Sequence, residues 1–132
     1  MRKKNIAFFS LRMLCFPFIA FSAEVKDIDV AEAKKNIENK KYDLILDVRT
    51  QEEYNGDLGH IQGSKLLPMQ EIDRRMEELS SFKGKNILVY CAAGGRSSRA
   101  SDILSKNGYS NVENMAGGMT EWNKRGYPVE KK

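Results

Sequence analysis

Short apolar runs alternate along the chain with longer segments whose apolar residues recur at helical spacing. The runs at residues 44–48, 65–67, 87–90 and 112–115 have the length and composition that predict buried strands. Because strands and helices alternate, we expect an α/β fold in which helices cover both faces of an open, mostly parallel β-sheet. Ligands of such sheets bind beyond the carboxyl ends of the strands, so the residues just after each strand are the first functional candidates.

Capping signals and buried stripes mark the predicted helices. Asp29 and Thr50 each stand three residues before a glutamate, a spacing that is typical of a helix start. Three amphipathic segments follow later in the chain and predict three more helices. Their inward residues are Ile72, Met76 and Leu79 in the first, Ala100, Ile103 and Leu104 in the second, and Met119 and Trp122 in the third.

Residues 1–22 differ in composition from the rest and predict a secretory signal peptide. They carry basic residues at positions 2–4, continue through an apolar stretch and contain no acidic residue. Small residues at Ala20 and Ser22 fit cleavage after Ser22, and cleavage after Ala23 is the alternative. An uncleaved membrane anchor is a further alternative, although the apolar stretch is shorter than the ~20 residues that a span needs. We therefore expect an exported protein, periplasmic if the source is a Gram-negative bacterium, without stable membrane association after cleavage.

The leader also accounts for the net positive charge. The whole chain has 22 basic and 18 acidic residues, a net charge of +4. Four of the basic residues and none of the acidic ones lie in residues 1–22, which leaves residues 23–132 without net charge. Nucleic-acid binding requires a basic face, so we expect no nucleic-acid partner. Residues 23–132 are long enough for one domain with one hydrophobic core.

Cys91 is the candidate catalytic residue, because it stands between a predicted strand and a predicted helix. The other cysteine, Cys15, lies in the leader, so the expected mature chain has one thiol and no internal disulfide. Backbone N–H groups of the intervening loop and of the first helical turn would stabilise a thiolate and bind an anionic substrate. The residues assigned to this binding site are Ala92, Ala93, Gly94, Gly95 and Arg96. An inert, buried cysteine at the end of a core strand is the alternative.

Several other residues that could carry chemistry favour structural roles. His60 is interpreted as a residue that orients its loop rather than as a general base. Asp47 and Arg49 lie at the end of a predicted buried strand and are expected to form a paired, hydrogen-bonded network. Met119 and Trp122 are expected in the core. The sequence shows neither metal-ligand spacing of His, Cys, Asp and Glu nor a nucleotide-binding glycine loop, so we expect no metal and no cofactor.

Three segments, spread over residues from about 27 to 129, resemble the single-domain rhodaneses, a family of sulfurtransferases. The segments are residues 47–64, which begin Asp-Val-Arg and end Gly-His-Ile-Gln-Gly-Ser; residues 91–96, which have the form Cys-x-x-Gly-x-Arg; and residues 117–129, which contain Gly-Gly-Met-Thr-Glu-Trp and Gly-Tyr-Pro-Val. The resemblance implies the rhodanese-like three-layer α/β fold, in which Cys91 forms a persulfide. Exported single-domain members exist, which agrees with the predicted leader.

The resemblance also implies a sulfur-transfer reaction. The Cys91 thiolate would attack a small anionic sulfur donor such as thiosulfate and hold the sulfur as a persulfide. Cyanide, a thiol or a sulfur-accepting protein would then remove that sulfur. Arg96 would be an exposed loop residue whose charge compensates that of the donor and the leaving group. Several thiosulfate-using members have a basic residue directly after the cysteine, where this chain has Ala92, so thiosulfate is expected to be a poor donor.

Two other function classes remain open at this point. A persulfide carrier without turnover of its own would keep the same cysteine. A cysteine-dependent phosphatase or arsenate reductase is less favoured, because its loop is one residue longer and a histidine usually precedes its cysteine. In this chain four residues separate Cys91 from Arg96, and Tyr90 precedes Cys91.

Overall fold

Five parallel strands form the sheet of residues 24–132, the part of the chain that the computed structural model describes. The strands are β1 (Lys26–Ile28), β2 (Leu44–Asp47), β3 (Lys65–Leu66), β4 (Asn86–Tyr90) and β5 (Asn111–Met115). Their order across the sheet is β1-β5-β4-β2-β3. The predicted parallel sheet is therefore confirmed. The hydrophobic pattern did not indicate the edge strand β1, because Ile28 is its only buried residue.

The predicted leader, residues 1–22, lies outside the described residues, and its cleavage stays a prediction. Within residues 24–132, no helix is both long enough and apolar enough to cross a membrane.

Helices cover both faces of this sheet. They are α1 (Val30–Glu38), α2 (Gln51–Tyr54), α3 (Ile72–Arg75), α4 (Gly95–Lys106) and α5 (Gly118–Lys124). Alternate residues of β4 belong to two different hydrophobic clusters, as expected for a strand buried on both sides. One cluster contains Ile72, Leu79, Ile87, Val89, Ala100 and Leu104. The other contains Val30, Ala33, Leu88, Tyr90, Met119 and Trp122. The expected three-layer α/β arrangement is confirmed.

Both predicted capping signals are present at helix starts. The Asp29 side chain accepts a hydrogen bond from the Glu32 backbone nitrogen at 2.8 Å, at the start of α1. Thr50 and Glu53 form a complete capping box at the start of α2. Such caps satisfy N–H groups that have no partner inside the helix.

The third predicted helix is not one continuous α-helix, so this prediction was wrong in its detail. The helix α3 has only four residues, and 3₁₀ segments flank it at Met69–Glu71 and Met76–Phe82. Glu71 and Arg75 have φ values of −107° and −112° with ψ near 0°, which interrupts regular α-helical geometry. Ile72 and Leu79 are nevertheless buried, as the pattern predicted.

The central strand β4 ends at the functional edge of the sheet. It pairs with β5 on one side and with β2 on the other, and Tyr90 lies opposite Asp47. Val48 continues the ladder by donating its backbone N–H to the Tyr90 carbonyl at 3.1 Å. Cys91 follows at once, at the carboxyl end of the most central strand. The topology thus places the cysteine where open α/β sheets bind their ligands.

Candidate active site

The Cys91 sulfur lies inside a small set of hydrogen-bond donors. Cys91 is 1% exposed, and its Sγ accepts hydrogen bonds from the backbone nitrogens of Gly94 at 3.1 Å and Ser97 at 3.4 Å. The Ser97 Oγ lies 3.3 Å from Sγ and 3.1 Å from the Gly94 carbonyl oxygen. All of these groups come from the loop after β4 and the first turn of α4. The arrangement can stabilise negative charge on sulfur.

Two opposing effects act on the pKa of the Cys91 thiol. Burial raises the pKa, because it penalises the charged thiolate. Hydrogen bonds from the Ser97 side chain and from the backbone N–H groups of Ser97, Gly94 and Ala93 lower it. The hydrogen bonds prevail, so the pKa of Cys91 lies below its ordinary value. A lowered pKa increases the fraction of nucleophilic thiolate at neutral pH.

The predicted binding residues divide between a loop and a helix. Ala92 and Ala93 lie in the loop, and Gly94 caps α4 with a φ of 106°, in the left-handed region that favours glycine. Gly95 and Arg96 belong to the first turn of α4, so the expectation that Arg96 is a loop residue was wrong. The reason is that the left-handed turn at Gly94 starts the helix immediately after it.

The Arg96 guanidinium is paired with a carboxylate from another part of the chain. Its Nη1 and Nη2 donate to Glu53 Oε1 and Oε2 at 2.7 and 2.8 Å. The two side chains are 36% and 33% exposed. Glu53 was predicted only as a helix-capping residue, and its separation from Arg96 in sequence left no signal for this contact. Arg96 is therefore neither fully exposed nor free.

The first residues of α5 form hydrogen bonds with the Cys91 loop, a contact that the sequence pattern did not indicate. The backbone nitrogens of Met119 and Thr120 donate to the carbonyls of Cys91 and Ala92, both at 2.9 Å. Gly118 allows this approach, since a Cβ there would lie 2.5 Å from each of those carbonyl oxygens. Gly118 is thus the point at which α5 contacts the Cys91 loop.

The residues to which the sequence assigned structural roles make buried structural contacts. Arg49 and Asp47 form a buried ion pair, with Nη2 and Oδ2 2.7 Å apart, and Arg49 also donates to the Gly59 carbonyl. His60 is 8% exposed, stacks on the Tyr54 ring and places Nδ1 2.8 Å from the Tyr54 carbonyl oxygen. The predicted Asp47–Arg49 network is confirmed. The contacts of His60 agree with its interpretation as a residue that orients a loop.

Substitution of Ser97 tests the origin of the lowered thiol pKa. Ser97→Ala removes the side-chain hydrogen bond to Sγ but keeps the backbone one, so we expect the pKa of Cys91 to rise. The pH profile of Cys91 alkylation by iodoacetamide should then move to higher pH. Ser98→Ala, at an exposed neighbouring position, is the control and should keep the parental profile. Identical profiles for Ser97→Ala and the parent would contradict the assigned role of the Ser97 hydroxyl.

No group of three or more His, Cys, Asp or Glu residues within residues 24–132 could hold a metal ion.

These observations define an α/β protein in which a cysteine directly follows the central strand. The loop after that cysteine directs backbone N–H donors at its sulfur. A family profile described as "Rhodanese-like domain" matches residues 29–125. The chain belongs to this family, and the match spans strands β2 to β5, the Cys91 loop and α5.

Relatives of the chain include sulfurtransferases and a solved structure. A sulfurtransferase of Allochromatium vinosum is 32% identical over 105 residues, which cover 80% of this chain and 94% of the relative. Thiosulfate sulfurtransferase PspE of Escherichia coli is 40% identical over 72 residues, which cover 54% of this chain and 67% of the relative. The crystal structure of a rhodanese-related protein from Thermoplasma volcanium is 33% identical, with a TM-score of 0.72, and the match covers 81% of this chain and 99% of that one.

Proposed function

We propose that this protein is a sulfurtransferase that moves sulfane sulfur from thiosulfate or a similar donor to cyanide or a thiol through a Cys91 persulfide. The observation that carries the proposal is the set of N–H donors around Cys91 Sγ, which comes from Gly94 and Ser97 at the start of α4. Family membership and the names of the relatives support the same class of reaction.

The first half-reaction loads sulfur onto the protein. The Cys91 thiolate attacks the outer sulfur of thiosulfate, a new S–S bond forms, and the bond to the sulfonate sulfur breaks. Sulfite leaves with the electron pair of that bond. The backbone N–H groups that stabilise the thiolate are placed to hold the anionic persulfide sulfur. Arg96 would compensate the charge on the donor and on sulfite only in part, because its guanidinium is already paired with Glu53.

The second half-reaction removes the sulfur. Cyanide or a thiolate attacks the outer persulfide sulfur, and the electron pair of the broken S–S bond returns to Cys91 Sγ. A thiol on a sulfur-accepting protein could take part in the same way. Because Cys91 is the only thiol in residues 24–132, an internal second cysteine is not available to resolve the persulfide.

The carrier hypothesis differs from this proposal only in turnover. A carrier would accept sulfur on Cys91 and release it only to one specific partner. A cysteine-dependent phosphatase or arsenate reductase is less favoured, because the loop is short and the Arg96 guanidinium is already bound to Glu53.

The test follows the mass of the intact protein through the two half-reactions. After incubation with thiosulfate, or with a persulfide donor if Ala92 makes thiosulfate a weak substrate, we expect a gain of one sulfur atom. Cyanide or a small thiol should remove it with steady-state turnover. An adduct without turnover across a broad acceptor panel would favour the carrier. Absence of any adduct would contradict both.

We further propose that residues 1–22 are removed during export, with a periplasmic location in a Gram-negative source. The basic start, apolar stretch and small residues before Glu24 support this proposal. The intact mass of the exported protein should correspond to a chain that begins at Ala23 or Glu24. Secreted material that retains Met1 would contradict the prediction.

A further inference from the structure

The ion pair between Glu53 and Arg96 lies beside the proposed sulfur-transfer site. The hydrogen bonds that Arg96 donates to Glu53 raise the pKa of Arg96, and the nearby charges of Glu53, Cys91 and Asp47 act in the same direction. Arg96 directly precedes Ser97, whose backbone N–H donates to Cys91 Sγ, so Arg96 lies in the same helical turn as a donor to the sulfur. Its guanidinium makes two parallel hydrogen bonds to one carboxylate, a geometry that holds both groups firmly.

Glu53 is itself held in place from the other side. Its Oε1 accepts hydrogen bonds from the Thr50 backbone nitrogen at 3.3 Å and from the Thr50 hydroxyl at 3.2 Å. The hydrogen bonds from Arg96, assisted by those from Thr50, lower the pKa of Glu53 to about 2. The carboxylate is therefore ionised at neutral pH, and the capping box keeps it beside Arg96.

The surroundings of Cys91 offer little other positive charge to an incoming anion. The groups that contact Sγ are backbone N–H groups and a hydroxyl, all of them uncharged. Arg49, at the end of the neighbouring strand, is buried and paired with Asp47. Ala92, directly after the cysteine, carries no charge. Arg96 remains as the cation of the Cys91 loop and α4 start, and Glu53 neutralises it.

We propose that Glu53 sets the charge preference of the Cys91 site. By neutralising Arg96, it disfavours dianionic partners such as thiosulfate and sulfite relative to uncharged thiols. The physiological donor and acceptor then belong to the class of thiols and persulfides of low charge. This inference rests on the proposed sulfur transfer at Cys91.

Discharge of the persulfide by two acceptors of different charge measures this preference. Sulfite, a dianion, attacks the outer sulfur, the S–S bond to Cys91 breaks, its electron pair returns to Sγ as a thiolate, and thiosulfate leaves. The acceptor 2-mercaptoethanol does the same as its thiolate form and leaves as a persulfide, but it carries no second charge. The ratio of the two rate constants cancels effects that are common to both reactions.

Alkylation of Cys91 gives a second measurement that does not depend on sulfur transfer. Iodoacetate and iodoacetamide have nearly the same shape and differ by one negative charge. In both reactions Sγ forms a bond to carbon and iodide leaves. A change in the thiolate fraction of Cys91 changes the alkylation rates of both reagents by the same factor. The ratio of the two rates therefore reports the charge around Cys91.

Glu53→Gln is the test variant, because glutamine can also serve in a capping box while it removes the charge. Coulomb energy is proportional to the charge of the partner, and the two reagents of each pair differ by one negative charge, so we expect both ratios to rise about threefold. Both gains should shrink at high salt. Glu52→Gln is the matched control, since Glu52 lies on the same helical turn, is exposed and has no side-chain contact with Arg96.

The double variant Glu53→Gln/Arg96→Gln should return both ratios to near the parental values. Unchanged ratios in Glu53→Gln, or an equal rise in Glu52→Gln, would overturn the role of Glu53 even if sulfur transfer proceeds normally. If neither the parent nor any variant forms a persulfide, the proposed function fails. The alkylation ratio then still decides whether Glu53 controls the charge at Cys91. Circular dichroism of each variant confirms that it is folded.

Discussion

Cys91→Ser should abolish both the sulfur adduct and catalytic turnover, lowering the transfer rate by roughly a thousandfold or more. A serine hydroxyl is not ionised at neutral pH, and it cannot form a persulfide. The N–H donors that stabilise a thiolate would then surround a neutral hydroxyl. Intact mass after incubation with donor, together with steady-state production of thiocyanate from cyanide, measures both expected losses.

The control for this variant uses the other cysteine of the chain. Cys15→Ser should leave the adduct and the turnover at parental levels, because Cys15 lies in the predicted leader. A far-ultraviolet circular dichroism spectrum should show that Cys91→Ser is folded. Transfer at the parental rate in Cys91→Ser would exclude the persulfide mechanism, and an adduct in that variant would assign the chemistry to another residue.

Gly118→Ala should destabilise the fold by about 3 kcal/mol and displace the Cys91 loop. Gly118 has a φ of 56°, where an L-residue with a side chain is strained, at a cost of about 1–2 kcal/mol. The added Cβ would also lie 2.5 Å from the carbonyl oxygens of Cys91 and Ala92, and such overlap costs about 1–3 kcal/mol more. Urea unfolding measures the stability. Sulfur loading at Cys91 should fall at least tenfold, because the loop is forced away from α5.

Gly126→Ala separates the two causes of this effect. Gly126 also has a positive φ, 68°, but no atom within 4 Å of an added Cβ. We expect this control to lose only the stability that the strained backbone angle costs, about 1 kcal/mol, and to load sulfur normally. Equal losses for the two variants would mean that the contact between α5 and the Cys91 loop is not important.

The elements that the sequence predicted well are those whose cause is local. Thr50 and Glu53 are three residues apart, so their capping box could be recognised without knowledge of the fold. The apolar run before Cys91 likewise predicted β4 correctly, because a strand buried on both faces has a simple composition. The 3₁₀ segments around α3 were missed, since their backbone angles at Glu71 and Arg75 leave no mark on the apolar spacing.

The candidate site was predictable only in part, because only some of its contacts join residues that are close together in the sequence. Cys91 and Gly94 could be assigned because a strand, a cysteine and a glycine turn follow one another within a few residues. The pairing of Arg96 with Glu53 could not, because it joins segments that are far apart in the chain and meet only where β2 and β4 lie side by side. The contact between Gly118 and the Cys91 loop forms only because β5, which precedes α5, pairs with β4.

By itself, the sequence determined that a strand ends at a cysteine, followed by a glycine-containing turn and the start of a helix, because neighbouring residues control strand, turn and cap. Only the tertiary structure decided how that thiol is surrounded. Parallel pairing of β2, β4 and β5 brings Glu53 to Arg96 and Gly118 to the Cys91 loop, and the charge and shape of the site arise from these distant contacts. Coulomb and steric forces act over a few ångströms of space, whatever the separation along the chain.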